Sequence, residues 1–148
     1  MPTAAIIGGG VIGSAWASRF LLNGWEVRFH DPAPDSEAVL SKVLDKARRW
    51  VPEVYDHLPP EGALILCDSI ADAVSAVDWV QESTPERLEI KQAVLAEIQE
   101  SCAAGAIVAS STSGFMPSEL QAGSARPGPV HARAWIDRDL KREMGFAD

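Results

Sequence analysis

Apolar residues recur along this chain in two alternating patterns, short runs and helical stripes. Thr3, Ala4, Ala5, Ile6 and Ile7 form a run that stops at glycine, which predicts a buried strand. Residues 11–23 place Ile12, Trp16, Phe20 and Leu21 near helical spacing, with Gly24 as the C-terminal stop. A second strand is predicted over 25–30, ending at Asp31, and Pro32 and Pro34 keep the next turn non-helical. Residues 36–50 read as a helix with Ala38, Val39, Val43, Leu44 and Ala47 inward and Lys42, Asp45 and Arg48 outward. Prolines at 52, 59 and 60 make 51–62 an irregular connector. Three more strands are predicted over 63–67, 77–82 and 106–109, with a short helix over 68–76. A longer helix is predicted over 83–101, with Ile90, Val94, Leu95 and Ile98 inward; Ser83 and Glu86 have capping-box spacing and Pro85 suits the first turn. Residues 110–114 form a polar loop and 117–121 a single helical turn. The alternation predicts an α/β fold: a Rossmann-type, doubly wound parallel sheet with helices on both faces. Its crossovers are right-handed and its ligand crevice lies at the carboxyl ends of the strands.

A chain of 148 residues suits one domain. With 47% hydrophobic and 23% charged residues it has globular composition, which excludes a disordered chain. The formal net charge of −8 repels phosphate backbones and argues against a nucleic-acid partner. No apolar run approaches the roughly 20 residues that span a bilayer, so no membrane partner is expected. The N-terminus lacks a basic region before its first apolar strand, so a cytoplasmic location is expected. Cys67 and Cys102 are far apart without metal-ligand spacing, and no metal site is expected; both read as small buried thiols.

Candidate chemistry concentrates where the strands end. Gly8, Gly10 and Gly13 match G-x-G-x-x-G between a strand and a helix. In that setting Gly8 allows a tight turn, Gly10 lets a pyrophosphate approach the backbone, and Gly13 lets the helix pack on the strand. The first helical turn, at Val11 and Ile12, offers free amides and a positive dipole end to the phosphates. Asp31 ends the second strand 18 residues after Gly13, where a carboxylate accepts both adenosine ribose hydroxyls and repels a 2′-phosphate. No arginine follows immediately, so NAD is favoured over NADP. Glu86 and Lys91 lie beyond the fourth strand. They either meet polar cofactor atoms or serve as a helix cap and a solvated lysine. The hydroxyls and amides of 110–114 lie where a nicotinamide end reaches, or form a plain turn.

From Thr3 to about Val130 the chain resembles the NAD-binding domain of the 3-hydroxyacyl-CoA dehydrogenase family. The resemblance is carried by the run from Ile7 to Gly13, by Val80-Gln81-Glu82, by Pro85-Glu86 with Lys91, and by Ala109 through Ser113. It implies NAD as cofactor, with Asp31 at the adenosine ribose, Glu86 and Lys91 on the nicotinamide side, and Ser113 between nicotinamide and substrate hydroxyl as the catalytic serine. The implied reaction is hydride transfer from C3 of a 3-hydroxy acid derivative to NAD, with a glutamate-oriented histidine as base. It further implies a small-molecule substrate, carnitine-like or a hydroxyacyl-CoA, and a homodimer formed through a second, helical domain.

The resemblance stops before the tail. The family histidine follows glycine and runs on to Asn-Pro, whereas His131 follows Val130 and precedes Ala132. No catalytic role is carried onto it, nor onto His30 or His57. Residues 1–130 are therefore expected to form the NAD-binding domain and 131–148 a divergent helical tail, with Trp135, Ile136, Leu140 and Met144 near helical spacing. The chain reads either as a truncated dehydrogenase or as an NAD-binding module without turnover. Residues 31–61 hold seven acids and four bases, a formal charge of −3. That field discourages a polyphosphate such as CoA and favours a small cationic 3-hydroxy acid such as carnitine. Trp50 and Tyr55, in the same stretch, could offer an aromatic face to a quaternary ammonium, but are expected instead to pack on the core.

Overall fold

The computed structural model describes residues 1–122 and the backbone of 130–131. Its elements in chain order are β1 (Thr3–Ile7), α1 (Val11–Leu22), β2 (Glu26–His30), α2 (Ser36–Val54), β3 (Leu64–Leu66), α3 (Ile70–Val74), β4 (Trp79–Glu82), α4 (Leu88–Ser101), β5 (Ile107–Ser110), α5 (Pro117–Leu120) and β6 (Val130–His131). The strands form one parallel sheet in the order β3-β2-β1-β4-β5-β6, the doubly wound order that the alternation predicts.

Strand alternation builds a core on each face. Ile6, Val27 and Phe29 face α1 and α2, meeting Ala17, Leu21, Leu40 and Leu44. Ala5, Ile7, Val80 and Val108 face the other way, meeting α3 through Ala73 and Val74 and α4 through Leu95 and Ile98. The register places Ile7 opposite both His30 and Glu82, and Glu82 opposite Ser110. The residues that follow, Gly8, Asp31, Ser83 and Ser111, therefore leave the sheet side by side. The order reverses between β1 and β4, where α1 and α4 leave on opposite faces, and a crevice opens there.

Several expectations need correction. Helix α2 continues past Trp50 to Val54 with Pro52 inside it, because Val51 extends the stripe that packs on the α1–α2 core. Trp50 falls on the opposite side and is 70% exposed, so it does not pack on the core. On that helix Leu44 is buried and Val39, Val43 and Ala47 are half-buried as the expected inward set has it, but Ala38 is exposed and Leu40, outside that set, is buried. In α1 the buried stripe is Gly13, Ala17 and Leu21, while Ile12 is 60% exposed toward the crevice. The third strand pairs only at Leu64–Leu66 and is an edge strand with its side chains exposed. Helix α4 begins at Leu88 after Arg87, with no side-chain cap, so the expected capping box at Ser83 does not form. Cys67 and Cys102 are half-buried at the rim of a core rather than buried, and burial pushes the Cys67 thiol up. The tail reading lies outside the described residues except for His131, whose backbone pairs with Ala109 in β6. Among the described residues no helix is long and apolar enough to cross a membrane.

Candidate functional site

The crevice is a cleft of about 1250 Å³ along the carboxyl ends of β2, β1, β4 and β5. Gly8, Gly10, Val11, Ile12, Asp31, Glu86 and Ser113 all line it.

The glycine turn is built by close approaches. Gly8 has φ +102°, and a Cβ there would stand 2.6 Å from the backbone carbonyl of Ser83. A Cβ on Gly13 would stand 1.8 Å from the Gly8 carbonyl oxygen, so α1 rests directly on the turn. Gly10 differs: a Cβ there would meet nothing within 4 Å, because the residue faces the open cleft. Gly10 caps α1, and a helix leaves its first amides without intrahelical acceptors. A buried turn hydroxyl, Ser14 Oγ, fixes the loop by donating to the Gly9 carbonyl at 3.1 Å.

Asp31 stands beside this turn. One carboxylate oxygen accepts the Gly9 amide and the other accepts the Ala33 amide at 2.6 Å, so the side chain is held in place. A carboxylate offers about four lone-pair sites, and two remain for hydroxyls. His30, one residue earlier, places Nδ1 2.9 Å from the Cys67 carbonyl oxygen; a carbonyl only accepts, so Nδ1 carries the proton.

At the other end, Glu86 caps no helix. Its Oε1 accepts from the Thr112 hydroxyl at 2.6 Å and from the amides of Ser113 and Gly114 at 3.0 and 2.9 Å. Burial pushes this carboxyl up, but those hydrogen bonds and the Lys91 ammonium outweigh it and hold it below its ordinary value. The loop after β5 is thereby clamped to the loop after β4, and Ser113 is left exposed on the cleft wall.

Lys91 is neither solvated nor on the cleft surface. Its side chain is fully buried and pairs with Glu82, equally buried, at 3.0 and 3.2 Å. It also donates to the carbonyls of Thr84 at 3.1 Å and Ser111 at 3.0 Å, and lies 3.6 Å from Glu86 Oε2. Glu82 in turn accepts from the Thr84 amide and hydroxyl, both at 2.6 Å, and from the Ser110 hydroxyl. Beside them Gln81 donates to Ser111 Oγ at 2.9 Å, and that oxygen lies 2.8 Å from Ser83 Oγ. Sequence reasoning gave Glu82 and Thr84 no individual role, read Ser83 as a helix cap, and took Ser111 only as one of the hydroxyls of 110–114. The available signal was an acid closing the strand Trp79–Glu82 with a lysine nine residues on, a spacing that matches no general motif.

The residues fit a dinucleotide. An open glycine with helix amides suits a diphosphate, a fixed carboxylate suits a ribose, and the cleft joins both to a second polar loop. Among the described residues no cluster of His, Cys, Asp and Glu has the arrangement of a metal site.

Comparison with known proteins points the same way. Residues 3–133 match the family model described as 3-hydroxyacyl-CoA dehydrogenase, NAD binding domain. An L-carnitine dehydrogenase/betainyl-CoA thioesterase of Ruegeria pomeroyi is 56% identical over 131 residues, which are 88% of this chain and 27% of that protein. An L-carnitine dehydrogenase of Mesorhizobium japonicum is 50% identical over 119 residues, 80% of this chain and 33% of that protein. The chain thus spans about a third or less of the length of these two relatives. Among solved structures, an NAD+-dependent 5-formyl-3-hydroxy-2-methylpyridine 4-carboxylic acid 5-dehydrogenase superposes with a TM-score of 0.78 at 33% identity, over 88% of this chain and 43% of that one. The 3-hydroxybutyryl-CoA dehydrogenase of Escherichia coli K12 shares the fold, with a TM-score of 0.72 at 24% identity over 87% of this chain and 28% of that one.

Proposed function

Because the chain belongs to the NAD-binding domain family of the 3-hydroxyacyl-CoA dehydrogenases, we propose that it is the cofactor-holding part of a dehydrogenase that oxidises the 3-hydroxyl of carnitine or a related small 3-hydroxy acid. The carrying observation is one continuous cleft with the Gly8–Gly13 turn and Asp31 at one end and Glu86 and Ser113 at the other. Residues 1–130 are assigned to this domain; His131, one residue past that bound, still pairs with Ala109 in the sheet, and the family match runs to residue 133.

In this reading Gly8, Gly10 and Gly13 shape the turn, and the amides at Val11 and Ile12 take the diphosphate. Asp31 accepts the adenosine ribose hydroxyls and turns away a 2′-phosphate by charge repulsion. Glu86 uses Oε1 to hold the Ser113 loop and keeps Oε2 for the nicotinamide side. The Ser113 hydroxyl bonds the substrate hydroxyl and orients its C3–H. Bound NAD would supply the acceptor for the hydride of that carbon. The hydroxyl proton needs a base of tuned pKa. Among the described residues His30 is held by a carbonyl, and no His–Glu pair lines the cleft.

Carnitine is favoured over an acyl-CoA thioester by the acidic balance of residues 31–61 and by the 56% identical relative. The test compares kcat/KM for L-carnitine and 3-hydroxybutyryl-CoA in the complete enzyme, beside the 148-residue chain alone. Preference for carnitine, with little turnover by the chain alone, is the expected result. Preference for the thioester overturns the substrate assignment, and fast NADH formation by the chain alone overturns its role as a cofactor-holding part.

A further inference from the structure

We propose that His30 selects the purine of the dinucleotide: its free ring nitrogen, Nε2, accepts from an exocyclic 6-amino group, so the cleft takes adenine and turns away a 6-oxopurine. The inference rests on the reading of the cleft as a dinucleotide site and adds base selectivity to it.

Strand alternation decides where this side chain goes. Phe29 enters the α1–α2 core, so His30, the next residue, points to the opposite face of the sheet. There it stands opposite Ile7 in the register and lines the cleft, half-buried. One bond sets the ring. Nδ1 lies 2.9 Å from the carbonyl oxygen of Cys67, just past β3, and it donates because a carbonyl only accepts. A neutral imidazole carries a single N–H, so Nε2 is left as an acceptor. Among the described residues nothing donates to it.

The walls of the cleft on this face suit a flat ring. Ile7 from β1, Ile70 from α3, and Ile90 and Val94 from α4 all line it. Nearby hydroxyls are spent within the protein. Thr84 donates to Glu82 at 2.6 Å, and the Ser83 and Ser111 hydroxyls bond each other at 2.8 Å. His30 thus brings an unspent acceptor to apolar walls, and a few such polar groups are what fix orientation and specificity in a ligand site.

The covalent order of the ligand brings the base to this place. With its ribose hydroxyls on Asp31 and its diphosphate at the α1 amides, a nucleotide carries its base on the remaining side of the sugar, away from the glycine turn. His30 adjoins Asp31 and lines the cleft outside that turn. Adenine offers an N–H donor at its 6-position. Hypoxanthine offers a carbonyl oxygen there, so two acceptors face each other and neither is satisfied. An unsatisfied group costs its desolvation on top of the bond that is lost.

The experiment is calorimetric titration of the 148-residue chain with ADP and with inosine diphosphate, its 6-oxo counterpart. NAD serves as the reference ligand, and thermal denaturation is recorded alongside. Native protein is expected to bind ADP at least about fivefold more tightly than inosine diphosphate, the effect of one neutral hydrogen bond. His30→Asn sets an amide where Nδ1 stands, so the bond to the Cys67 carbonyl can be kept, and it has no atom at the Nε2 position. This variant is expected to lose the preference by weakening ADP alone, with inosine diphosphate affinity unchanged. A residue that only packs would weaken both nucleotides equally. His30→Phe, which keeps a flat ring without either nitrogen, is expected to lose the preference as well and decides the matter if the Asn variant does not fold. Equal native affinity for the two diphosphates, or a folded variant that keeps the native preference, overturns the role of His30 and leaves the dinucleotide reading standing. Native protein that binds neither NAD nor ADP overturns the dinucleotide reading itself.

Discussion

Replacing Gly10 and Gly13 by alanine, one at a time, separates holding the fold from holding the ligand. At Gly13 the new methyl would stand 1.8 Å from the Gly8 oxygen and 2.9 Å from the Gly8 carbonyl carbon. Both are backbone atoms of a turn whose own glycine already has φ +102° and abuts Ser83, so neither can yield cheaply. Overpacking of this kind costs about 1–3 kcal/mol, and a direct backbone clash belongs near the upper end. Alanine inside a helix returns about 1 kcal/mol relative to glycine. The net loss is about 2 kcal/mol, or a fall in Tm of roughly 4–8 °C for a chain of this size. At Gly10 the methyl meets nothing within 4 Å, and φ −66° with ψ −172° is open to alanine. Reduced freedom of the unfolded chain contributes about 0.4–1 kcal/mol, and the poorer cap roughly offsets it, so stability changes by less than about 1 kcal/mol. The methyl would, however, fill the space in front of the α1 amides. Losing one or two charged hydrogen bonds there lowers NAD affinity by about 10- to 100-fold. Thermal denaturation and NAD calorimetry on both variants provide the assay. A Gly10→Ala protein with native NAD affinity, or a Gly13→Ala protein as stable as the native one, refutes the division of roles.

Asp31→Ala should weaken NAD binding by about 1–3 kcal/mol and narrow the preference for NAD over NADP, measured by titration with both; an unchanged ratio removes Asp31 from the ribose site. Glu86, whose carboxyl is held below its ordinary value of 4.5, contributes stability that is fully present above that value and is lost as pH falls through the depressed one. The urea midpoint of native protein should therefore exceed that of Glu86→Gln at neutral pH, with the gap closing below about pH 4.5; a constant gap contradicts the assignment. Arg48→Ala, which removes exposed bonds to Glu61 at 2.7 and 3.0 Å, should cost no more than about 1 kcal/mol in urea unfolding, and less at high salt.

What the sequence made legible was periodic or local. The run at Ala4 to Ile7, the glycine turn and the acid closing β2 lie close together in the chain, and each carries its own physical cue. Their order sufficed for the strand arrangement. Hidden features were those decided by distant partners. Glu86 has capping-box spacing from Ser83, yet its Oε1 is taken by Thr112, Ser113 and Gly114, on a loop 26–28 residues away. A donor set of one hydroxyl and two amides outweighs a single cap. Lys91 read either as a cofactor contact or as a solvated side chain, as lysine usually is; its burial becomes tolerable only when Glu82 and two carbonyls converge on it. Pro52 suggested a helix end, but the loss of one hydrogen bond near the C-terminus is offset by packing of Val51. Trp50 shows the converse, since a large apolar side chain on the outer stripe of an amphipathic helix stays in solvent.

The central claim is that one dinucleotide spans the cleft, its adenosine end on the Gly8–Asp31 side and its nicotinamide end on the Glu86–Ser113 side. Amide chemical shifts of the isotope-labelled chain, recorded on titration with ADP and then with NAD, test it most directly. The account predicts that the amides of Gly8 through Ile12 and of Ala33 shift with either ligand, while those of Ser113 and Gly114 shift with NAD alone. Shifts at Ser113 and Gly114 with ADP, or none there with saturating NAD, contradict it.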